Sequence, residues 1–222
     1  LFFPGGDIGR LSVCGTVNDV AMLGAEPRYL AAGFILEEGF SIGELESVLA
    51  SMREACAEAG VSIIAADTKV TEKGKSDKLF ISTTGIGWAP NDRAVSGNQA
   101  QPGDAVLISG PLGNHGIAVL QARGNLGFQS DVRSDTAPLN HLTQGLCAAF
   151  PDVHVLRDPT RGGLATTLVE IAAQSGVTIQ LDEKGIPIDT PVRSACDLLG
   201  LDPLYLANEG KVIVILPEET AE

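Results

Sequence analysis

Helical segments alternate with short β-branched segments along this chain, and that order constrains its fold more than any other feature. The clearest helix is predicted over Ile42–Ala59, where apolar residues recur at helical spacing after a Ser41-x-x-Glu44 capping box. Gly60 ends this helix, and a short buried strand is predicted over residues 61–66. Because several strand pairs can form antiparallel hairpins, the pattern predicts an α+β fold rather than a doubly wound sheet.

The remaining elements follow the same alternation. Strands are predicted over residues 79–89, 104–109, 153–156, 177–181 and 212–216. Helices are predicted from the turn 110–116 to about residue 123, and over residues 138–150, 164–175 and 190–199. The stretch 91–103 is polar and rich in turn residues, so it predicts a domain boundary. We therefore predict a first domain over residues 1–95 and a second over residues 96–222.

Composition excludes several classes of protein. With 222 residues, 44% of them hydrophobic and 5% aromatic, the chain can bury an aliphatic core. Its formal charge of -13 argues against nonspecific nucleic-acid binding, which depends on basic contacts to phosphates. No apolar run reaches the roughly 20 residues of a membrane span. The four cysteines lack CxxC spacing and no signal peptide is evident, so reduced thiols and a cytoplasmic location are predicted.

Two acidic clusters follow or precede apolar runs in the first half of the chain. Asn18 and Asp19 stand before an apolar run that a Gly-Ala-Glu-Pro turn closes, and the pattern is interpreted as a helix start. A helix cap explains this pair, and so does a magnesium ligand at Asp19. Asp67, Thr68 and Lys69 are predicted at the carboxyl end of a strand. They fit either a polar turn or a site in which Asp67 binds a metal and Lys69 contacts a phosphate.

A third cluster combines charge with two consecutive glycines. Asp158 and Arg161 are followed by Gly162 and Gly163, directly before a predicted helix. The glycines allow a backbone to approach a ligand closely, and a helix N-terminus favours an anion. A plain transition from loop to helix is the alternative interpretation.

Two further motifs are less specific. Asn208 and Glu209, followed by glycine and lysine, precede the last predicted strand, and they fit a solvated turn or a carboxylate placed for acid–base chemistry. The glycine-rich turn 110–116 matches neither a Walker A loop nor a dinucleotide fingerprint, so it is interpreted as a strand-to-helix turn. His115 within it is interpreted as a helix-start residue rather than a metal ligand.

Taken together, the motifs resemble one family over the whole chain. They occur in the order GGDIG from residue 5, GTVNDVA from residue 15, GAEP from residue 24, DTKV from residue 67, DPTRGG from residue 158 and ANEGK from residue 207. This order resembles the HypE family, the carbamoyl dehydratases of [NiFe]-hydrogenase maturation, within the PurM-like superfamily of ATP-using enzymes. The resemblance implies two α+β domains and a homodimer whose N-terminal sheets form a shared barrel.

The resemblance also implies a reaction, its cofactors and its partners. ATP activates the amide oxygen of an S-carboxamide on the family's C-terminal cysteine, and loss of phosphate leaves a thiocyanate that supplies cyanide to hydrogenase iron. The implied cofactors are ATP and Mg²⁺, and the implied partners are a HypF-type carbamoyltransferase and a HypC–HypD-type iron scaffold complex. The family's terminal cysteine is absent from these 222 residues, which begin without methionine and stop just after a predicted strand. A fragment lacking both native ends is therefore predicted.

The family's roles can be transferred to matching positions in this chain. The resemblance implies that Asp19 and Asp67 bind magnesium and that Lys69 and Glu209 are catalytic. The implied nucleotide-binding residues are Asn18, Asp19, Asp67, Thr68, Asp158, Arg161, Gly162, Gly163 and Asn208. Two alternatives remain open. One is another ATP-dependent member of the superfamily, such as selenophosphate synthetase or a small-molecule kinase or synthetase. The other is a non-catalytic nucleotide-binding scaffold, which Ala66 supports because the family usually has glycine there.

Overall fold

Three small sheets and seven α-helices form the part of the chain that the computed structural model describes, residues 1–90, 95–124 and 130–221. The strands are β1 (Phe2–Phe3), β2 (Gly6–Asp7), β3 (Glu26–Glu37), β4 (Ser62–Thr71), β5 (Leu79–Trp88), β6 (Asp104–Ile108), β7 (Val155–Arg157) and β8 (Ile213–Pro217). The helices are α1 (Ile8–Ala21), α2 (Ile42–Ala59), α3 (Asn114–Arg123), α4 (Asn140–Ala149), α5 (Gly163–Ser175), α6 (Thr190–Leu199) and α7 (Glu218–Ala221). The first four residues of the predicted linker, 91–94, lie outside the described residues. None of the described helices is both long enough and apolar enough to cross a membrane.

The first half of the chain is a three-stranded sheet covered on one face by α1 and α2. β3 is the central strand, parallel to β4 and antiparallel to β5. Its side chains alternate, so that Leu30, Ala32 and Phe34 are buried against the helices while the residues between them face outward. The α2 helix has the predicted bounds because the Ser41 hydroxyl accepts from Glu44 N–H, and Gly60 ends it in the left-handed conformation.

The α1 helix begins well before the Asn-Asp pair, so the predicted helix start at Asn18 and Asp19 is wrong. Asp7 is the N-cap, and its Oδ1 accepts from the N–H groups of Gly9 (2.7 Å) and Arg10 (3.0 Å). These bonds satisfy donors that the first helical turn leaves free. Asn18 and Asp19 consequently lie in the last turn of α1, where neither can cap its start.

Two glycines of α1 offer a matched test of helix packing. A Cβ at Gly9 would overlap the backbone oxygen of Val48 in α2, whereas a Cβ at Gly15 meets nothing within 4 Å. We expect Gly9→Ala to lower the free energy of unfolding by about 2 kcal/mol, because the helices must separate. Gly15→Ala should raise it by up to about 1 kcal/mol through helix propensity. Urea unfolding of both variants measures the difference, and equal effects would contradict the close approach of Gly9 to Val48.

The β4 strand extends beyond its predicted end, so the placement of Asp67 and Lys69 at a strand terminus is also wrong. β3, a long strand that was not predicted from the sequence, pairs with β4 as far as Thr71. Gly33 lies opposite Asp67, and Ile35 lies opposite Lys69. Polar residues are tolerated within β4 because it is an edge strand with exposed side chains.

The second half contains an antiparallel sheet in which β8 lies between β6 and β7. Its predicted strands and helices are confirmed to within two residues, with one exception. Residues 177–181 form no strand, because they pair with none of the strands in the described sheets. Val177 and Ile179 instead pack against the core that contains Ile213 and Ile215. Their apolar alternation therefore reflects packing beside the sheet rather than membership in it.

Candidate functional site

A polar cavity of about 440 Å³ lies between the end of α1 and the loop before α5. Asp19 and Asp158 line it together with Arg157, Thr160 and Arg161. Arg157 also donates to Glu170 Oε2 at 2.9 Å. The fold thus brings together acidic and basic residues from two of the predicted clusters, which are separated by more than half of the sequence.

Glu209 belongs to the same electrostatic cluster. Burial, together with the negative charges of Asp158, Asp135 and Asp19, raises the pKa of Glu209 to about 8. Burial also raises the pKa of Asp158, with Asp19 adding to the effect. Asp19 is exposed to the cavity on one side, and partial burial on the other raises its pKa, while Arg161 and Arg157 oppose the shift. The cluster therefore combines a carboxyl that titrates near neutral pH with acids whose mutual repulsion a bound cation would relieve.

Asn18 connects the first half of the chain to this cluster. Its side chain is 1% exposed, and its Nδ2 donates to the backbone oxygens of Ala137 (3.1 Å) and Glu209 (3.4 Å). Its Oδ1 accepts from Leu139 N–H at 2.8 Å. The amide is engaged within the protein, so Asn18 holds the two halves together beside Asp19. Direct contact of Asn18 with a nucleotide stays a prediction.

Asn208 has a similar role within the second half. It is 0% exposed, and its Oδ1 accepts from Gly113 N–H at 2.7 Å. Its Nδ2 donates to the backbone oxygens of Pro159 (3.1 Å) and Leu206 (3.0 Å). Asn208 thereby fixes the loop that carries Asp158 relative to the loop that carries Glu209. Its predicted contact with nucleotide likewise stays a prediction.

The backbone conformation by itself explains why two glycines follow Arg161. Both Gly162 (φ 73°) and Gly163 (φ 62°) adopt the left-handed conformation. A Cβ at Gly163 would also meet the backbone of residues 204–206. The close approach at Gly163 is therefore made by the chain itself, and ligand contact at either glycine stays a prediction.

The cavity that contains Asp19 does not include Asp67, Thr68 or Lys69. They line a separate cavity of about 290 Å³ on the sheet of the first half. Because Asp67 pairs with Gly33 and Lys69 with Ile35, both point to the face opposite the helices.

The sheet register separates Asp67 from Asp19 within one chain. Val20, the neighbour of Asp19, packs on the helix-covered face against Gly85 and Gly87, which pair with Leu30 and Pro27. Asp67 pairs with Gly33, three to six residues or roughly 10–20 Å further along β3, and it points to the opposite face of the sheet. One metal ion cannot bridge this separation, so joint binding by Asp19 and Asp67 would require two copies of the chain.

Two further predictions concern metal ligands and backbone tolerance. No group of three or more His, Cys, Asp or Glu side chains within the described ranges is arranged to hold a metal ion. His115 is the second residue of α3, as expected of a helix-start residue, and it is buried. Ala66 lies inside β4 and lacks the positive φ that would require glycine, since Lys78 is the one described non-glycine residue with positive φ.

The sequence did not single out Asp135, although its carboxylate is 6% exposed and contacts the loop that contains Glu209. Asp135 lies in an irregular segment between α3 and α4, without periodicity or a glycine signature. Its proximity to residue 209 arises only from the tertiary fold. Asp135 is identified by its burial and by its ion pair with Lys211, and neither is visible in the sequence.

Comparison with known proteins identifies the family. Models of the AIR synthase related protein match residues 1–89 with its N-terminal domain and residues 101–222 with its C-terminal domain. Carbamoyl dehydratase HypE of Azotobacter vinelandii is 57% identical over 222 residues, which cover 100% of this chain and 65% of that relative. The chain therefore spans less than two thirds of that relative's length.

Solved structures agree with this assignment. A crystal structure of hydrogenase maturation protein HypE in complex with ATP is 60% identical, with a TM-score of 0.96, and the match covers 99% of this chain and 66% of that one. In the crystal structure of a HypE–HypF complex, the matching chain is 53% identical with a TM-score of 0.97, covering 100% of this chain and 72% of that one. The two-domain α+β fold is thus confirmed. The chain belongs to the AIR synthase related family, in its HypE branch.

Proposed function

We propose that the protein carrying this chain uses ATP to dehydrate a carbamoylated C-terminal cysteine to a thiocyanate, which supplies cyanide to the iron of [NiFe]-hydrogenase. The observation that carries the proposal is Glu209, a carboxyl whose pKa is about 8, held beside Asp158 and Asp19. Such a group can accept a proton near neutral pH. Membership in the HypE branch supports the choice of substrate.

The reaction requires an acceptor for protons. The amide oxygen of the S-carboxamide attacks the terminal phosphoryl group of ATP, which releases ADP, and one N–H proton is lost as a C=N bond forms. Loss of the second N–H proton then forms the C≡N bond as the C–O bond breaks and phosphate leaves. We assign the proton acceptor to Glu209, and we assign Lys69 to the charge that develops on the transferred phosphoryl group.

ATP and Mg²⁺ are the proposed cofactors. A similar protein has been solved in complex with ATP, which supports the nucleotide. The residues present fit magnesium, because Asp19 is exposed at the cavity and magnesium needs only one or two carboxylates besides phosphate oxygens and water. When bound, the ion neutralises charge on the phosphates. Arg161, Thr160 and the backbone at Gly162 and Gly163 are proposed to contact the nucleotide, with Asp158, Asn18 and Asn208 shaping the cavity.

We further propose that the complete site lies between two copies of the chain. Asp67, Thr68 and Lys69 of one copy would then face Asp19 and Glu209 of the other. The outward face of the sheet supports association, because it exposes several large apolar side chains. These are Tyr29, Ile35, Phe80, Ile86 and Trp88. Exposed apolar patches of this kind mark protein interfaces, and a shared barrel would bury this one.

The remaining proposals concern partners, location and domain limits. A HypF-type carbamoyltransferase is proposed to deliver the carbamoyl group, and the solved HypE–HypF complex of a similar protein supports it. A HypC–HypD-type iron scaffold complex is the proposed acceptor of cyanide. We place the protein in the cytoplasm, without nucleic-acid or membrane partners. The domain boundary is proposed after residue 95.

Mass spectrometry of the reaction tests the proposed function. The full-length protein, carbamoylated at its terminal cysteine by a HypF-type enzyme, is incubated with Mg²⁺ and ATP. We expect the modified cysteine to lose the mass of one water molecule while ADP and phosphate accumulate. Incubation with a non-hydrolysable ATP analogue is the control. ATP hydrolysis without loss of water from the modified cysteine would refute the proposed dehydration.

A further inference from the structure

The Asp135 carboxylate contacts three consecutive residues that include Glu209. Its Oδ1 accepts from Glu209 N–H at 3.1 Å, and its Oδ2 accepts from Gly210 N–H at 3.2 Å. The same Oδ2 accepts from Lys211 Nζ at 3.1 Å in an ion pair whose side chains are 13% (Lys211) and 6% (Asp135) exposed. Both carboxylate oxygens are therefore committed to the loop that carries the proposed base.

The backbone of this loop also lies directly against the segment that carries Asp135. A Cβ at Gly210 would overlap the Asp135 backbone oxygen, so only glycine allows the approach. Ala137 N–H donates to Glu209 O at 3.3 Å. The stem of Lys211 runs over Gly110, where an added Cβ would lie 3.0 Å from its Cε. Each position from 209 to 211 is thus constrained by a defined neighbour.

The segment 134–137, here called the clasp, is itself anchored to the first half of the chain. Ser134 N–H donates to Pro4 O at 2.7 Å, and Arg10 Nε donates to Thr136 O at 3.0 Å. The Ser134 hydroxyl is also hydrogen bonded to Nδ1 of His115 at 2.8 Å. Because the clasp is held from both halves, Asp135 has a fixed position from which to hold the loop.

We propose that Asp135 is a positioning residue, whose carboxylate fixes the backbone of Glu209 and Gly210 and so holds the Glu209 carboxyl beside Asp158 and Asp19. The inference rests on the proposed function for the role of Glu209. Both oxygens of the Asp135 carboxylate accept from protein donors, so we assign Asp135 no contact with substrate or nucleotide. A neutral amide at this position could accept at only one of its two polar atoms, and its NH₂ group would face a donor.

Two measurements on Asp135→Asn test this role, with Asp131→Asn as the matched control because Asp131 is exposed in the same irregular segment. Hydrogen exchange of the Glu209 and Gly210 amides should become on the order of tenfold faster in Asp135→Asn. The kcat for ATP turnover by the full-length protein should fall about 10- to 100-fold with KM for ATP unchanged, because the base is misplaced while the nucleotide contacts remain. The control should match the parent in both measurements.

A second variant covers the case in which Asp135→Asn fails to fold. Asp135→Glu keeps the charge opposite Lys211 but moves the carboxylate by one methylene, and it should give the same two changes in smaller degree. Unchanged amide exchange in a folded variant overturns the anchoring. Faster exchange with unchanged kcat, or a loss confined to KM, overturns the positioning role. If the parent protein turns over no ATP, the proposed function fails, while amide exchange still decides whether Asp135 anchors the loop.

Discussion

Replacing Glu209 by glutamine should lower the rate of ATP-dependent dehydration on the order of 100- to 10,000-fold. Glutamine keeps the shape of the side chain and cannot accept the N–H proton. The affinity for ATP should change little, because the cavity lined by Asp158 and Arg161 remains. Mass spectrometry of the modified cysteine measures the rate, and equilibrium titration measures nucleotide binding. Glu183→Gln is the control for the loss of one negative charge, because Glu183 is exposed and is not a residue of the proposed site.

The pH dependence follows from the same group. Glu209 has a pKa of about 8 in the folded chain against an ordinary value of 4.5, so at pH 7 it is mostly protonated. A base must be deprotonated, and the dehydration rate of the parent should therefore rise with pH up to about 8. Glu209→Gln should lose this limb of the profile.

The free energy of unfolding should depend on pH in the opposite direction. The folded chain binds the Glu209 proton more tightly than the unfolded chain does, so stability is greatest below pH 4.5 for this group and falls as pH rises to about 8. Urea unfolding over this range should show the decline in the parent and a flatter profile in Glu209→Gln. Full dehydration activity in Glu209→Gln would remove Glu209 from the mechanism.

Mixing two inactive variants should restore activity if the site lies between two copies of the chain. Asp19→Asn and Lys69→Ala should each abolish turnover alone. In a mixed dimer, one of the two sites receives Asp19 from one copy and Lys69 from the other, and both residues are intact. With random pairing half of the dimers are mixed, so about a quarter of the parental rate should return.

A second mixture gives the control for this experiment. Asp19→Asn and Glu209→Gln alter the same electrostatic cluster of one chain, so a mixed dimer contains no intact site and no rate should return. Activity is measured as ATP turnover after the variants are refolded together. If the mixture of Asp19→Asn and Lys69→Ala stays inactive while mixed dimers are present, both residues act within one chain, and the two-copy site is excluded.

Local chemistry determined which elements could be predicted from the sequence. The helix over Ile42–Ala59 was predicted with its observed bounds because Ser41 and Gly60 signal its ends within a few residues. The Asn18-Asp19 pair misled for a related reason. Both residue types are good caps, and the true cap, Asp7, precedes a helix whose apolar residues are not confined to one face. Periodicity alone could not distinguish these two starts.

The features that could not be predicted from the sequence depend mostly on tertiary packing. The strand at residues 177–181 was predicted from alternation, but a strand also needs a partner edge, which no local pattern reveals. For the same reason, the site could be predicted as a set of residues but not as an arrangement. Nothing in the sequence separates Asp67 from Asp19 across the sheet, or brings Asp135 beneath Glu209.

Asn18 and Asp19 are consecutive residues with opposite tasks at the end of α1. Asn18 is bonded to the backbone of Ala137, Leu139 and Glu209, while Asp19 faces the cavity. A hinge motion between the two halves would therefore break these bonds and carry Asp19 away from the proposed base. The two halves therefore cannot open about a hinge to admit a substrate and still keep this geometry. If they were produced as separate polypeptides, the catalytic arrangement would form only when the pieces reassociated. The contacts that must re-form include the Asn18 amide, the clasp, the packing of Ala21 and Met22 on the second half, and the bond from Asn140 Nδ2 to Ala59 O.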